Sequence, residues 1–264
     1  MKAKRVVALS DLHCGHDLGL CPPQYNIEDE LYDVRKETWD WFSKEIRSLG
    51  KIDILFIVGD SIDGKGERSG GTEQLTTDRM KQVKMAVDCI RFIKPQKIFM
   101  AYGTPYHTGM GEDWEAVMAK SIANGGEGTK RIKTEIGGHL FVDVNGCIFD
   151  LKHKVSTGKL MHTKGTSISR EKLQNYMWMI REQQPNSDII IRGHVHNFFQ
   201  TSDGYWVAMT LPGLQGLGSK YGERQCSGVV NLGFVHFDIN TKGGYTWQSH
   251  LAELPGQKAP VLKA

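Results

Sequence analysis

The sequence predicts an α/β fold in which two packed β-sheets are accompanied by covering helices. Three observations lead there. Short, β-branched apolar runs alternate with stretches of helical periodicity through the first half of the 264 residues, the pattern of a sheet covered by helices. After a glycine-rich break at 125–128 strand signals dominate, separated by turn dipeptides. No repeat, charge block or convincing linker divides the halves, so residues 1–254 read as a single domain and 255–264 as a loosely held tail.

Arg5 to Ser10 and Ile52 to Val58 are short and apolar enough to be buried strands. Between them Leu31, Val34, Phe42, Ile46 and Leu49 fall near helical spacing. Met80, Val83, Val87 and Ile90 mark a second helix, and Lys97 to Ala101 is the strand that follows Pro95. Trp114, Val117, Met118, Ser121 and Ile122 repeat as i, i+3, i+4, i+7 and i+8, a third helix. Leu140 to Val144 and Cys147 to His153 flank Asn145-Gly146, a hairpin signal because both turn residues tolerate positive φ. Ser169 to Gln184 is helical, with Leu173, Tyr176, Met177 and Ile180 on one face. Asp188 to Ile191 is a short strand, Asp203-Gly204 marks another hairpin, and strands follow around Val229 to Phe237 and Tyr245 to Leu251.

Composition narrows the function classes. Hydrophobic residues at 39% and charged residues at 24% describe a globular chain, and 30 glycines exceed the ~7% average. A net charge of +3 from 33 basic and 30 acidic residues is too weak a field to argue obligate nucleic-acid binding. No apolar run approaches the ~20 residues of a membrane span, and the one after the basic Met1 to Arg5 is too short for a signal peptide. Five cysteines form no CxxC pair. Together these features read as a cytoplasmic protein without membrane contact.

Acidic residues and histidines recur where strands end: Asp11 and His13 after the first, Asp60 after the second, His153 after a hairpin strand, His194 and His196 after another. Strand ends on one edge of an α/β sheet converge on a crevice. Carboxylate with imidazole suits divalent manganese, iron, zinc or nickel, and without thiolates a structural zinc knot is disfavoured. Any one such residue alone is usually a turn or cap residue; their joint occurrence carries the weight.

Asp11-Leu12-His13, Gly59-Asp60, His153 and Gly193-His194-Val195-His196 stand in the order found in the calcineurin-like metallophosphoesterase superfamily, which the sequence resembles from Asp11 to His196. The resemblance implies the metallophosphoesterase sandwich, two packed mixed β-sheets flanked by helices, and a phosphoester hydrolase using two divalent metal ions, manganese first, with iron, zinc or nickel as alternatives. Carried over by position, it implies Asp11, His13 and His196 on one metal, His153 and His194 on the other, and Asp60 bridging both. His162 competes for the place of His153, which is preferred because it closes an apolar strand. A water acidified between the two cations would attack phosphorus in line. The family's Gly-Asn-His-Asp/Glu segment is missing, and Gly103-Thr104-Pro105-Tyr106-His107 stands in its place. His107 is therefore the expected general acid, with Thr104 or water where the Asn ligand would be. The competing reading makes His107 the ligand and leaves proton donation to His16 or solvent. Cys14 is expected to turn away from the site, and His16 to sit beside the ligands or touch substrate.

Rival readings are weaker. Gly59 to Gly66 reads GDSIDGKG, close to a phosphate-cradling P-loop, but it lacks the Ser/Thr and the following helix. With Lys65 and Arg68 it suits a substrate-facing lid. The HxHxDH cluster of metallo-β-lactamases is absent, and a metal-free scaffold has no reason to keep all six ligand positions. Lys152, Lys154, Lys159, Lys164, Arg170 and Lys172 surround His153, a run that could track nucleic-acid phosphates. The expected substrate is therefore a phosphodiester, nucleotide or nucleic acid, the alternative a phosphomonoester on protein or small molecule. The glycine-rich stretch Gly213 to Gly228 reads equally as a mobile loop near the site and as a plain surface crossing.

Overall fold

Alternation within the first strand decides the architecture. In β1 (Lys4–Leu9) Val6 and Ala8 face one core while Val7 and Leu9 face another, because successive side chains leave a strand on opposite sides. The computed structural model describes residues 2–110, 113–125, 129–156, 163–216 and 229–254. β1 pairs in parallel with β2 (Ile54–Val58), which continues in parallel to β3 (Lys97–Ala101) and β4 (Lys133–Gly137). On its other side β1 runs antiparallel to β10 (Leu232–Ile239), itself antiparallel to β11 (Tyr245–Ala252). The second sheet has the order β5 (Leu140–Val144), β6 (Cys147–Leu151), β7 (Ile189–Arg192), β9 (Val207–Thr210), β8 (Phe199–Ser202). Its three central strands are parallel and both edges antiparallel. This is the expected α/β class: two mixed sheets, of six and five strands, with helices.

Between the sheets Phe149 packs edge-on against Phe56 and Phe237, with ring centroids 5.0 and 5.3 Å apart. On the opposite face of the first sheet lie α1 (Tyr32–Ser48), α2 (Arg79–Ile93) and α4 (Trp114–Asn124), which bury Phe42, Ile46, Val83, Ile90, Met118 and Ile122. The Asp78 carboxylate caps α2 by accepting from the amides of Met80 and Lys81. Among the described residues, no helix is long and apolar enough to cross a membrane.

Two elements depart from expectation. β4 was not anticipated; Lys133, Thr134 and Glu135 on an exposed edge carry no apolar signal. The helix expected at Ser169 to Gln184 runs instead as α5 (Lys164–Ile180), and its apolar face is turned outward, with Leu173 59% and Ile180 62% exposed. Its inner face buries Ile168 but is otherwise polar: Lys172 Nζ donates to the Ser187 carbonyl at 2.6 Å, and Arg192 Nε donates to Glu171 Oε2 at 2.9 Å. The loop before β7 presents Ser187 and β7 presents Arg192 there, so the apolar face that periodicity picks out is the outer one. The tail at 255–264, His162, Lys159 and most of the Gly213 to Gly228 loop lie outside the described residues.

Because Phe149 is fully buried between two other rings, Phe149→Ala is expected to cost about 3–5 kcal/mol in urea unfolding. A loss under about 1 kcal/mol would mean that the sheets do not share one packed interface.

Candidate metal centre

Each of the six expected ligands follows the carboxyl end of a parallel strand: Asp11 and His13 after β1, Asp60 after β2, His153 after β6, His194 and His196 after β7. Asp11, His13, Asp60, His194 and His196 all hold left-handed backbone, with φ of 53, 45, 51, 75 and 48°. Non-glycine residues adopt this region at a cost of roughly 1–2 kcal/mol each. Backbone bonds between loops hold them there: the Asp11 amide donates to Gly59 O at 3.0 Å, the His13 amide to Asp60 O at 3.0 Å and the Asn231 amide to His196 O at 2.7 Å. Glycine is required where these loops touch, since a Cβ on Gly193 would lie 2.0 Å from Ser10 Oγ.

Asp11 Oδ1 lies 3.2 Å from His196 Nε2 and 3.8 Å from His13 Nε2, and the two ring nitrogens are 3.2 Å apart. His13 Nδ1 donates to Asp63 Oδ1 at 2.7 Å, so in the neutral ring Nε2 carries the lone pair. Donor atoms about 2.1 Å from a shared ion at tetrahedral or octahedral angles stand about 3.0–3.4 Å apart, close to these spacings. Asp60 Oδ2 lies 3.0 Å from His153 Nε2, and His153 Nδ1 donates to the Val58 carbonyl at 2.6 Å. Asp60, His153 and His194 each offer a ligand atom within 4.8 Å of the others, as do Asp11, His13 and His196. A third grouping, His13, Asp60 and His107, joins the two. Asp11 Oδ2 accepts from Ser10 Oγ and from the His194 amide. Asp11 Oδ1 and His153 Nε2, by contrast, are buried with no well-formed hydrogen bond, each having only the ion-pair contacts just given. Leaving such atoms unpaired costs about 1–3 kcal/mol each, and a cation would satisfy both, so the donor set fits divalent metal.

Burial opposes ionisation of Asp11 and Asp60, yet the histidines outweigh it: His196 and His13 around the first, His153 beside the second, hold both carboxyls below the usual range. Burial also opposes charging of His13 and His153, but carboxylate neighbours raise His13 well above its ordinary value and push His153 up to about 9. His194 is lowered, by burial and then by the charge on His153. Without a cation, protons on imidazole balance the two buried carboxylates.

The structure also places residues that sequence reasoning missed or misjudged. Asp63 binds the His13 ring, accepts from Gln74 Nε2 at 2.5 Å and lies 3.3 Å from His107 Nδ1; its place three residues after Asp60 was the available signal. Glu115, on the buried side of α4, accepts from the amides of Ser61 and Gly103. Burial, then the charge on Asp60, pushes it up to about 7. Thr104 donates its amide and its hydroxyl to Asp60. His107 stands on a one-turn helix, α3 (Pro105–Thr108), with Nδ1 donating to the Asp63 carbonyl at 2.9 Å and a side chain 21% exposed. His16 is buried, its Nδ1 accepts from the Leu18 amide, and burial pushes it down to about 4. Cys14 turns into the core, as expected, with Sγ 3.9 Å from Cys89 Sγ. Gly66 leads into a single 3-10 turn at Glu67–Ser69, where a P-loop would start an α-helix. Of the basic run, Lys152 is paired with Glu171 and Lys172 is buried, whereas Lys154 and Arg170 are exposed.

Neither a protein-family model nor a curated protein sequence matches the chain. Among solved structures the chain is similar to Vps29 of Chaetomium thermophilum at 10% identity, over 94% of this chain and 97% of that one, with a TM-score of 0.47. A novel archaeal phosphodiesterase is similar at 11% identity over 93% and 99% of the two chains, TM-score 0.45. Vps29 of Entamoeba histolytica complexed with Zn²⁺ is similar at 13% identity over 94% and 98%, TM-score 0.43.

The elevated His153 pKa of about 9, against 6.5 for a free imidazole, carries a sign. A group raised on folding contributes stability that is complete below pH 6.5 and lost as pH rises through about 9. The metal-free protein is therefore expected to lose thermal stability over that window. Added Mn²⁺, which needs unprotonated imidazole, should restore more at the alkaline end. Melting curves in EDTA and in Mn²⁺ check this, and an EDTA profile that stays level or rises would contradict the pairing of imidazolium with carboxylate.

Proposed function

We propose that this chain is a single-domain, cytoplasmic phosphoester hydrolase that works with two divalent cations, manganese first among them, on a phosphodiester or nucleotide. The observation that carries this reading is the pair of buried donor atoms that lack a well-formed hydrogen bond, Asp11 Oδ1 and His153 Nε2, set among carboxylates and imidazoles at ligand spacing. Asp11, His13 and His196 are assigned to one cation, His153 and His194 to the other, and Asp60 to both. When bound, two such cations supply Lewis-acid charge to a phosphoryl group and acidify a water.

The chain's own residues orient and exchange protons. Asp63 fixes the His13 ring and the Val58 carbonyl fixes the His153 ring, so that each presents Nε2 to the site. Thr104 holds the Asp60 carboxylate through its amide, 2.6 Å from Oδ1, and through its hydroxyl. His107, anchored through Nδ1 to the Asp63 carbonyl, is left with Nε2 as the atom that can hand a proton to a leaving oxygen, and we assign it as general acid. Its grouping with His13 and Asp60 favours a second reading, in which it is a further ligand. The exposed cations Lys154 and Arg170 support a substrate with more than one phosphate or a phosphodiester backbone.

Asp60→Asn is expected to abolish hydrolysis of bis(p-nitrophenyl) phosphate and to lower bound manganese, read by mass spectrometry of the purified chain. Wild-type turnover at full metal content in that variant would sink the assignment, and a wild-type chain that takes up no transition metal favours a scaffold. His107→Ala is expected to cost ~10²–10⁴-fold on a substrate with an alkoxide leaving group while sparing a nitrophenyl ester and the metal content. Equal failure on both substrates with loss of one metal would make His107 a ligand.

A further inference from the structure

Glu115 has no exposure to solvent, and its hydrogen bonds run to the loops on either side of Asp60. Oε1 accepts from the Ser61 amide at 2.9 Å and from the Ser61 hydroxyl at 2.8 Å; Oε2 accepts from the Gly103 amide at 2.6 Å. Ser61 directly follows Asp60, and Gly103 directly precedes Thr104. Thr104 closes the circuit, donating its amide to Asp60 Oδ1 at 2.6 Å and its hydroxyl to Oδ1 and Oδ2 at 3.0 and 3.1 Å. Asp60, Ser61, Glu115, Gly103 and Thr104 thus form one ring of bonds around a single carboxylate. The ring leaves no room for a side chain at Gly103, where a Cβ would lie 2.2 Å from Asp60 Oδ1.

A buried carboxylate is costly, and an apolar residue of similar size would pack on α4 without that cost. What Glu115 adds is a grip on two amides from inside the fold: the Asp60–Ser61 peptide, whose carbonyl is held from the other side by the His13 amide at 3.0 Å, and the amide of Gly103. Asp60 holds left-handed backbone, φ 51°, and the amide that follows such a residue turns with it as it relaxes. By holding that amide with one oxygen and the Gly103 amide with the other, Glu115 sets the distance between the β2 and β3 loops. We propose that Glu115 is a positioning residue that fixes the Asp60 carboxylate through this ring and thereby sets the cation affinity of the site. The inference rests on the reading of Asp60 as a metal ligand.

Titration calorimetry of the full chain with Mn²⁺ tests it. Glu115→Gln keeps the size but places an amide NH₂ against a backbone N–H, and is expected to weaken Mn²⁺ binding by about 10- to 100-fold. Thr104→Val breaks the same ring at its other end. If the two act through one carboxylate, the double variant binds little worse than the weaker single variant, whereas losses that multiply overturn the proposal. Should Glu115→Gln not fold, Ser61→Ala removes only the hydroxyl bond and is expected to cost about 2- to 12-fold in Mn²⁺ affinity. Wild-type affinity in the Gln variant, or in Ser61→Ala, overturns the positioning role while leaving the hydrolase reading intact. A wild-type chain that binds no Mn²⁺ overturns both.

Discussion

A chain that leaves a β-strand in extended conformation throws successive side chains to opposite sides, and residues two apart then share a face only if the backbone keeps its pleat. Asp11, His13, Asp60, His194 and His196 escape that geometry through left-handed backbone, which curls each loop back over the strand ends. The strain is large against a domain stability of about 5–15 kcal/mol. It persists because the loops brace one another, with amides of one answering carbonyls of the next, and because the strands beneath are buried on both sides. The two cores thus serve the site: Val6 and Ala8 bind the second sheet, Val7 and Leu9 bind the helices, and β1 cannot shift to relieve Asp11.

What could be read from the sequence follows from this arrangement. β1, β2 and β3 are covered on both faces and so appear as continuous apolar runs, each followed within three residues by a polar residue of the candidate centre, Asp11, Asp60 and Thr104. The Asn145-Gly146 hairpin was legible because its backbone needs positive φ, 58° and 93°, and few residues accept that. Residues acting by hydrogen bonding across the fold left no such trace. Glu115 meets Ser61 from 54 positions away, and nothing in the pattern around it separates it from a surface glutamate. Lys172 was equally opaque, since a lysine that donates to a buried carbonyl and one that faces water look alike until burial is known.

Asp63 shows how a non-ligand can knit a centre together. One of its carboxylate oxygens is 2.7 Å from His13 and 3.3 Å from His107, while the other accepts from Gln74. His13 and His107 meet edge to face with centroids 4.5 Å apart, so neither ring can rotate without disturbing the other. A residue proposed to move a proton and a residue proposed to hold a cation are therefore steadied by one anion.

The inverted helix α5 has a thermal consequence. Apolar burial weakens on cooling, so the two large cores soften toward low temperature. The seam under α5 contains Ile168, Ile190 and Ala208 but is joined chiefly by Lys172, Asn175, Glu171 and Arg192 through polar bonds. Its grip does not fade with the hydrophobic effect. Cooling therefore weakens the inner packing of the sheet that carries His153 and His194 more than the polar contacts on its outer side.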